Sequence, residues 1–173
     1  MIEYFNWTPL KFGKYKGKTL PQIVLRDPDW FFWAYDNGKF GAALEDEAAE
    51  IAWKARNIRI PPPDPKNWRV EYELTLDGKF VGFSIVQMKD ANDATIDTSY
   101  SITSKHLDLS FPRSLKTYDK LGNKMMLRSF RHYYFSGSRL TKEKCEKFFF
   151  WDWNFMTAMQ KPDYHFLDFS DFV

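Results

Sequence analysis

One cysteine, Cys145, is all that the 173 residues offer for covalent cross-linking. No disulfide can close within the chain, which suits a reducing compartment. Long apolar runs are missing as well. The longest strongly apolar stretch, Phe148 to Trp151, falls far short of the roughly 20 residues that span a bilayer, so no membrane partner is expected. Met1-Ile2-Glu3-Tyr4 lacks the positive flank and apolar run of a signal peptide, and a cytoplasmic location is the expectation. There is no phosphate-cradling Gly-x-x-x-x-Gly-Lys loop, no nucleophile elbow and no dinucleotide fingerprint. Neither a heptad run nor an internal repeat is present.

What is abundant is aromatic. Phe 17, Tyr 9 and Trp 7 make up 19% of the chain, enough rings to fill a core and still reach the surface. Surface rings serve as base-stacking platforms, protein interfaces or pocket walls. A hydrophobic share of 44% and a charged share of 28% are the balance of a globular protein. The net charge of +2 is uninformative, but its distribution is not. Lys11 to Arg26 holds five basic residues and no acid, whereas Asp27 to Glu50 holds seven acids against Lys39. Lys105 to Lys147 holds eleven Lys or Arg against four acids. Alternation of this kind places a basic face on a nearly neutral molecule; the plainer reading is solvated surface.

Four prolines in the five positions from Pro61 to Pro65 favour stiff polyproline II and read as a spacer. The predicted organisation is α+β. A module of hairpin and short helices occupies residues 1–58, a Pro-rich linker 59–67, and an antiparallel sheet with a long aromatic-rich helix 68–173. In the first module, Leu10 to Leu20 reads as a tight hairpin or strand pair. Thr19 caps a short helix, and Asp27-Pro28 starts another that Asn37-Gly38 ends. Leu44 to Asn57 forms a third helix. In the second, Val70 to Leu76 and Phe80 to Val86 alternate about Asp77-Gly78, which predicts a hairpin with a type I′ turn. A further hairpin is predicted over Leu115 to Phe130, turning at Leu121-Gly122-Asn123, with a polar loop over Asp90 to Asp97. From Thr141 a helix is expected to carry Cys145, Phe148, Phe149, Asp152, Phe155, Met156 and Met159 on one stripe.

Phe12-Gly13-Lys14-Tyr15-Lys16-Gly17-Lys18-Thr19-Leu20 carries most of the functional inference. In extended backbone Lys14, Lys16 and Lys18 share one face while Tyr15 points the other way. Three ammonium groups on a short rigid element suit a polyanion; a lysine-protected edge strand is the alternative. Continued through Asp27-Pro28-Asp29-Trp30-Phe31-Phe32-Trp33, this stretch resembles the small C-terminal domain of exodeoxyribonuclease X-like proteins and the related quorum-sensing-regulated virulence factors. The similarity covers about the first third of the chain. It implies DNA as a ligand, with Lys14, Lys16 and Lys18 at the matching positions; Tyr15 between them is counted with the nucleic-acid-binding residues. It does not imply nuclease activity, because the exonuclease of those proteins is a separate domain. Residues 68–173 resemble no known family.

A second basic stretch strengthens the theme. Lys116, Lys120, Lys124, Arg128, Arg131 and Arg139 are interleaved with Tyr118, Phe130, Tyr133, Tyr134 and Phe135. Cations for phosphates beside rings for bases are what single-strand binding requires; core-filling rings under a basic rim are the plainer reading. Catalytic signals are weak by comparison. Glu71, Glu73 and Asp77 lack the spacing of a metal-dependent nuclease, with Asp77-Gly78-Lys79 explained as a turn. His106, His132 and His165 fit no zinc spacing, and Cys145 falls on an apolar stripe. The sequence therefore predicts a nucleic-acid-binding accessory protein with no catalytic residue, metal or cofactor. The alternatives are a protein-interaction or self-association module using Trp30, Phe31, Trp151 and Trp153, and a metal-dependent nuclease.

Overall fold

A computed structural model describes residues 6–61, 67–88 and 101–156. It is an α+β fold. Three helices come first: α1 (Leu20–Val24), α2 (Pro28–Asp36) and α3 (Glu45–Arg56). The strands follow as β1 (Ile58–Arg59), β2 (Trp68–Leu74), β3 (Phe80–Gln87), β4 (Ser101–Ser104) and β5 (His106–Leu107). Two more helices, α4 (Lys120–Phe135) and α5 (Lys142–Phe150), complete the order. One antiparallel sheet runs β3-β2-β4, and β1 pairs with β5 in a second, two-stranded one. The expected loop at Asp90–Asp97 lies outside the described residues, as do most of the proline run and Met159.

Local chemistry starts the helices where expected. Thr19 and Gln22 form a capping box on α1, with Pro21 in its first turn. Asp27 caps α2 by accepting from the Trp30 N–H at 3.1 Å, and Pro28 takes the first helical position. The β2–β3 hairpin forms as alternation predicts, with Val70 and Tyr72 buried on one face. Its turn differs from the expected type. Gly78 has positive φ but Asp77 does not, and Gly78 N–H donates to Thr75 C=O while Thr75 N–H donates to Lys79 C=O. A type I′ turn needs both central residues left-handed. This is the longer type I turn that closes through a left-handed glycine.

Two further expectations are overturned. The hairpin predicted over Leu115 to Phe130 is instead α4, a 16-residue helix. Asp119 supplies the deciding cap, its carboxylate accepting from the Gly122 N–H at 3.0 Å; α4 ends where Ser136 and Gly137 turn left-handed, at φ 49° and 75°. The helix expected from Thr141 stops at Phe150, because Trp151 is extended. Two of its last carbonyls are taken by side chains: Asn154 Nδ2 donates to Phe148 C=O at 2.8 Å, and Lys54 Nζ to Phe149 C=O at 2.9 Å. Phe155, freed from the helix, bridges to Ile58.

The Lys54–Phe149 bond and the Ile58–Phe155 bridge bind α3 to the end of α5 and β1 to the segment that follows it. Buried residues from Leu10 to Phe155 form one continuous hydrophobic core, so the segments on either side of the prolines share it. Most of the aromatic surplus sits there. Phe130, Phe148, Phe149 and Phe155 meet edge-to-face or tilted, with Phe148 centroids 5.5 Å from Phe130 and from Phe155. Tyr72 stacks on Phe111 at 3.8 Å. Sheet and helices are pinned by polar bonds: Phe83 N–H donates to Ser129 Oγ on α4, and Tyr134 Oη donates to Arg59 C=O. This packing lays α4 and α5 against α1 and α2. The groove between them is the notable surface of the molecule.

Candidate functional site

The Gly-Lys motif does not form a strand pair. Gly13 and Gly17 take positive φ, 69° and 81°, and two successive turns close as Lys16 N–H donates to Gly13 C=O and Lys18 N–H to Tyr15 C=O. Leu10 brackets the loop, donating to Lys18 C=O at 2.8 Å and accepting from Gly17 N–H at 2.7 Å. Winding the backbone this way destroys the two-residue alternation, so the three lysines do not share a face. Tyr15 turns inward and is 7% exposed. Its hydroxyl donates to Asp27 Oδ2 at 2.6 Å, and its ring meets Trp30 edge-on at 5.0 Å. A ring held this way offers no face to a base; Tyr15 positions the loop.

Asp27 organises this corner. One carboxylate oxygen caps α2, while the other accepts from Tyr15 and from Lys14 Nζ at 3.0 Å. Burial pushes its pKa up, but the bonds from Tyr15, the Trp30 N–H and Lys14 outweigh that and hold it below the usual carboxylate range. The loop is thereby fixed against the start of α2.

Helix α4 supplies the facing wall. At 100° per residue Lys120, Lys124, Leu127 and Arg131 fall within about 60° of one another. All four line the groove. Its narrower part, about 410 Å³, contains Lys18, Arg26, Lys124, Arg131 and Arg139 and no carboxylate, with Cys145 on its floor. Burial pushes the Cys145 thiol up to about 12, so it stays protonated and inert. The wider part, about 660 Å³, is lined by Lys14, Arg113, Lys120, Trp30, Trp33 and Asn123 among others. The two parts meet at Arg26, Lys124 and Leu127.

Eight cations therefore line the groove against two carboxylates, Asp27 and Asp29. Neither acid is free. Asp27 is held as described, and Asp29 is bonded by Arg113. The lining is strongly positive, and its cations come from the motif loop, from α1–α2 and from α4–α5.

Of the residues singled out from sequence, Lys14, Lys18, Lys120, Lys124, Arg131 and Arg139 meet here. Lys16, Lys116 and Arg128 are exposed and line neither part; Arg128 sits about 80° round α4 from Lys120. Of the aromatics of the basic stretch, Tyr118 lines the groove, whereas Tyr133, Tyr134 and Phe135 pack against the core and Phe130 is fully buried in it. Phe31 is likewise core and unavailable to an interface. Sequence reading missed Arg26, Arg113 and Asn123. Nothing in the chain order signals Arg113 or Asn123, whereas Arg26 ends the basic run that Lys11 begins.

Among the described residues no group of three His, Cys, Asp or Glu is placed to hold a metal ion. None of the described helices is long and apolar enough to cross a membrane. No family model, curated protein or solved structure matches the chain.

Proposed function

We propose that this protein binds nucleic acid along the groove between α1–α2 and α4–α5, as an accessory factor and not a catalyst. The observation that carries the reading is the excess of eight cations over two already bonded carboxylates. An extended anion is favoured over a small one by the shape of the cationic wall. Lys120 and Arg131 lie about 16 Å apart along α4, at 1.5 Å per residue. A wall of that length meets several consecutive phosphates of a strand and exceeds what a single phosphate needs. The resemblance of the motif loop to a domain of DNA-processing proteins favours DNA.

The test is a charge-reversal comparison. Lys18→Glu/Lys124→Glu alters the groove, whereas Lys16→Glu/Lys116→Glu changes the net charge equally outside it. Anisotropy of a labelled oligonucleotide across a salt series should show a steep slope for wild type and for the outer pair. The groove pair should flatten it by about one unit of log K per log salt for each lost contact. Equal losses in both pairs would sink a groove-specific site.

A second reading, self-association, is favoured by one feature. Trp151 and Trp153 stack at 4.3 Å with Trp153 61% exposed, and large exposed rings are typical interface anchors. Size-exclusion chromatography at two salt concentrations separates the readings: a stable dimer indifferent to salt supports the second.

A further inference from the structure

The wider part of the groove holds something that phosphate binding does not use. Asn123, in the first turn of α4, is 8% exposed, and its Oδ1 is shut off from solvent without a hydrogen-bond partner. Buried polar atoms are nearly always paired, so an orphan on a cavity wall points to a missing donor. On the wall of the same cavity the Tyr118 hydroxyl is also closed to water, with the Asp29 carboxylate as its polar neighbour. Burial, and after it the neighbouring Asp29 carboxylate, raise its pKa well above that of an ordinary phenol. Both residues line the same cavity as Trp30 and Trp33.

From these groups we infer that the cavity is a nucleobase subsite, in which Asn123 reads the edge of an unstacked base and Trp33 stacks on its face. The inference rests on the nucleic-acid reading above and names the kind of ligand that site takes: single-stranded, with a base whose edge is unpaired. Four observations converge on it. The cavity, about 660 Å³, falls within the size range of small-molecule sites. Trp33 is 43% exposed beside Trp30, their centroids 6.4 Å apart, so a ring surface is available. Lys120 and Lys124 flank Asn123 on the same helix and line the same cavity, where they would hold the phosphates on either side of the base. Last, an asparagine side chain offers a carbonyl acceptor beside an amide donor. That pair matches the amine and adjacent ring nitrogen of adenine or cytosine. Thymine meets the same pair with its ring N3–H and the adjacent carbonyl, so the amide can hold any base whose edge is free. A base inside a duplex is stacked and paired and cannot enter without being extruded.

Affinities of oligo(dA), oligo(dC), oligo(dT) and an abasic oligomer of equal length, measured with the full chain at one low salt concentration, test this. The expected result is oligo(dA) or oligo(dC) binding at least about fivefold more tightly than the abasic oligomer, with quenching of tryptophan emission. Asn123→Ala should lower the affinity of the base-bearing oligomers, oligo(dT) included, and leave abasic binding intact. Trp33→Leu, at an exposed position, should lower affinity for every base-bearing oligomer and spare the abasic one. Thermal melts of the free protein add a readout independent of binding. An orphan kept for a ligand can be removed without loss, so Asn123→Ala should melt no lower than wild type. Abasic and base-bearing oligomers binding wild type equally would overturn the subsite and leave the phosphate groove standing. No binding to any of the four would overturn both.

Discussion

Asp27 shows how much of this molecule depends on single polar side chains. It caps α2 and receives the Tyr15 hydroxyl and the Lys14 ammonium, so one carboxylate fixes both a helix start and the loop that delivers Lys14 and Lys18 to the groove. Asp27→Ala is expected to cost about 1–2 kcal/mol in urea denaturation at neutral pH, on the scale of a lost cap. Its carboxyl titrates below the ordinary value of 3.8 in the folded protein. The stabilisation is therefore complete above that value and fades as pH falls below it. Asp27→Asn, which keeps a capping oxygen, should lose this part of the acid sensitivity. Asp108 has the opposite sign. Burial raises its pKa above the ordinary value despite bonds from the Ser110 N–H and Oγ, with Arg56 and His106 as the charged neighbours that partly offset burial. Folding then favours the protonated form, and the ionised form is a liability that grows as pH rises through the folded value. Asp108→Asn is expected to be neutral or stabilising at pH 7 and to lose that advantage at pH 3. A large destabilisation at pH 7 would show that the carboxylate charge itself is needed.

Among the elements, α4 was the least legible in the sequence and matters most to the site. Leu121-Gly122-Asn123 carries the residues of a turn, and strand-forming Tyr and Phe follow. Three facts decide for a helix, and each needs tertiary context. Asp119 caps it. Gly122 sits where a Cβ would meet Phe80 and Pro112 at 3.6 Å, ordinary contact distances. The Phe130, Tyr133 and Tyr134 rings pack inward, Tyr133 stacking on Phe83 of the sheet. By contrast α1, α2 and the β2–β3 hairpin announce themselves through local chemistry: Thr19 with Gln22, Asp27-Pro28, and alternation about a glycine turn. The groove is legible only in part for the same reason. Lys14, Lys18, Lys120, Lys124 and Arg131 were visible as basic runs, but which cations share a face depends on whether the backbone repeats every 2 or every 3.6 residues. The helix makes a prediction that a hairpin would reverse. Gly122→Ala should raise stability by about 0.5–1 kcal/mol, since alanine is the better helix former and its methyl has room. In a turn with left-handed glycine the same change would destabilise, so the sign of the shift in urea midpoint discriminates the two.

At the scale of the whole molecule the groove is supported where α3 is locked to the end of α5, and Lys54 is the bolt. It is 4% exposed, donates to Phe149 C=O, and pairs with Glu50 at 2.7 Å and Asp152 at 3.0 Å. Its carboxylate partners are exposed and can return to water, so the main cost of losing it falls on the stranded carbonyl. Lys54→Ala should cost about 1–3 kcal/mol. The walls of the groove belong to both ends of the chain, so a ligand that fills it binds the folded state alone and must stabilise it. A saturating oligonucleotide, at about a hundred times its dissociation constant, contributes on the order of 2.7 kcal/mol. The melting temperature should then rise by several degrees. Because the cations are screened by salt, the rise should shrink steadily as salt is added. It should be absent in Lys18→Glu/Lys124→Glu, whose groove has lost two cations from opposite walls. An increase that survives high salt, or that persists in the variant, would mean the ligand holds the fold through contacts other than this groove.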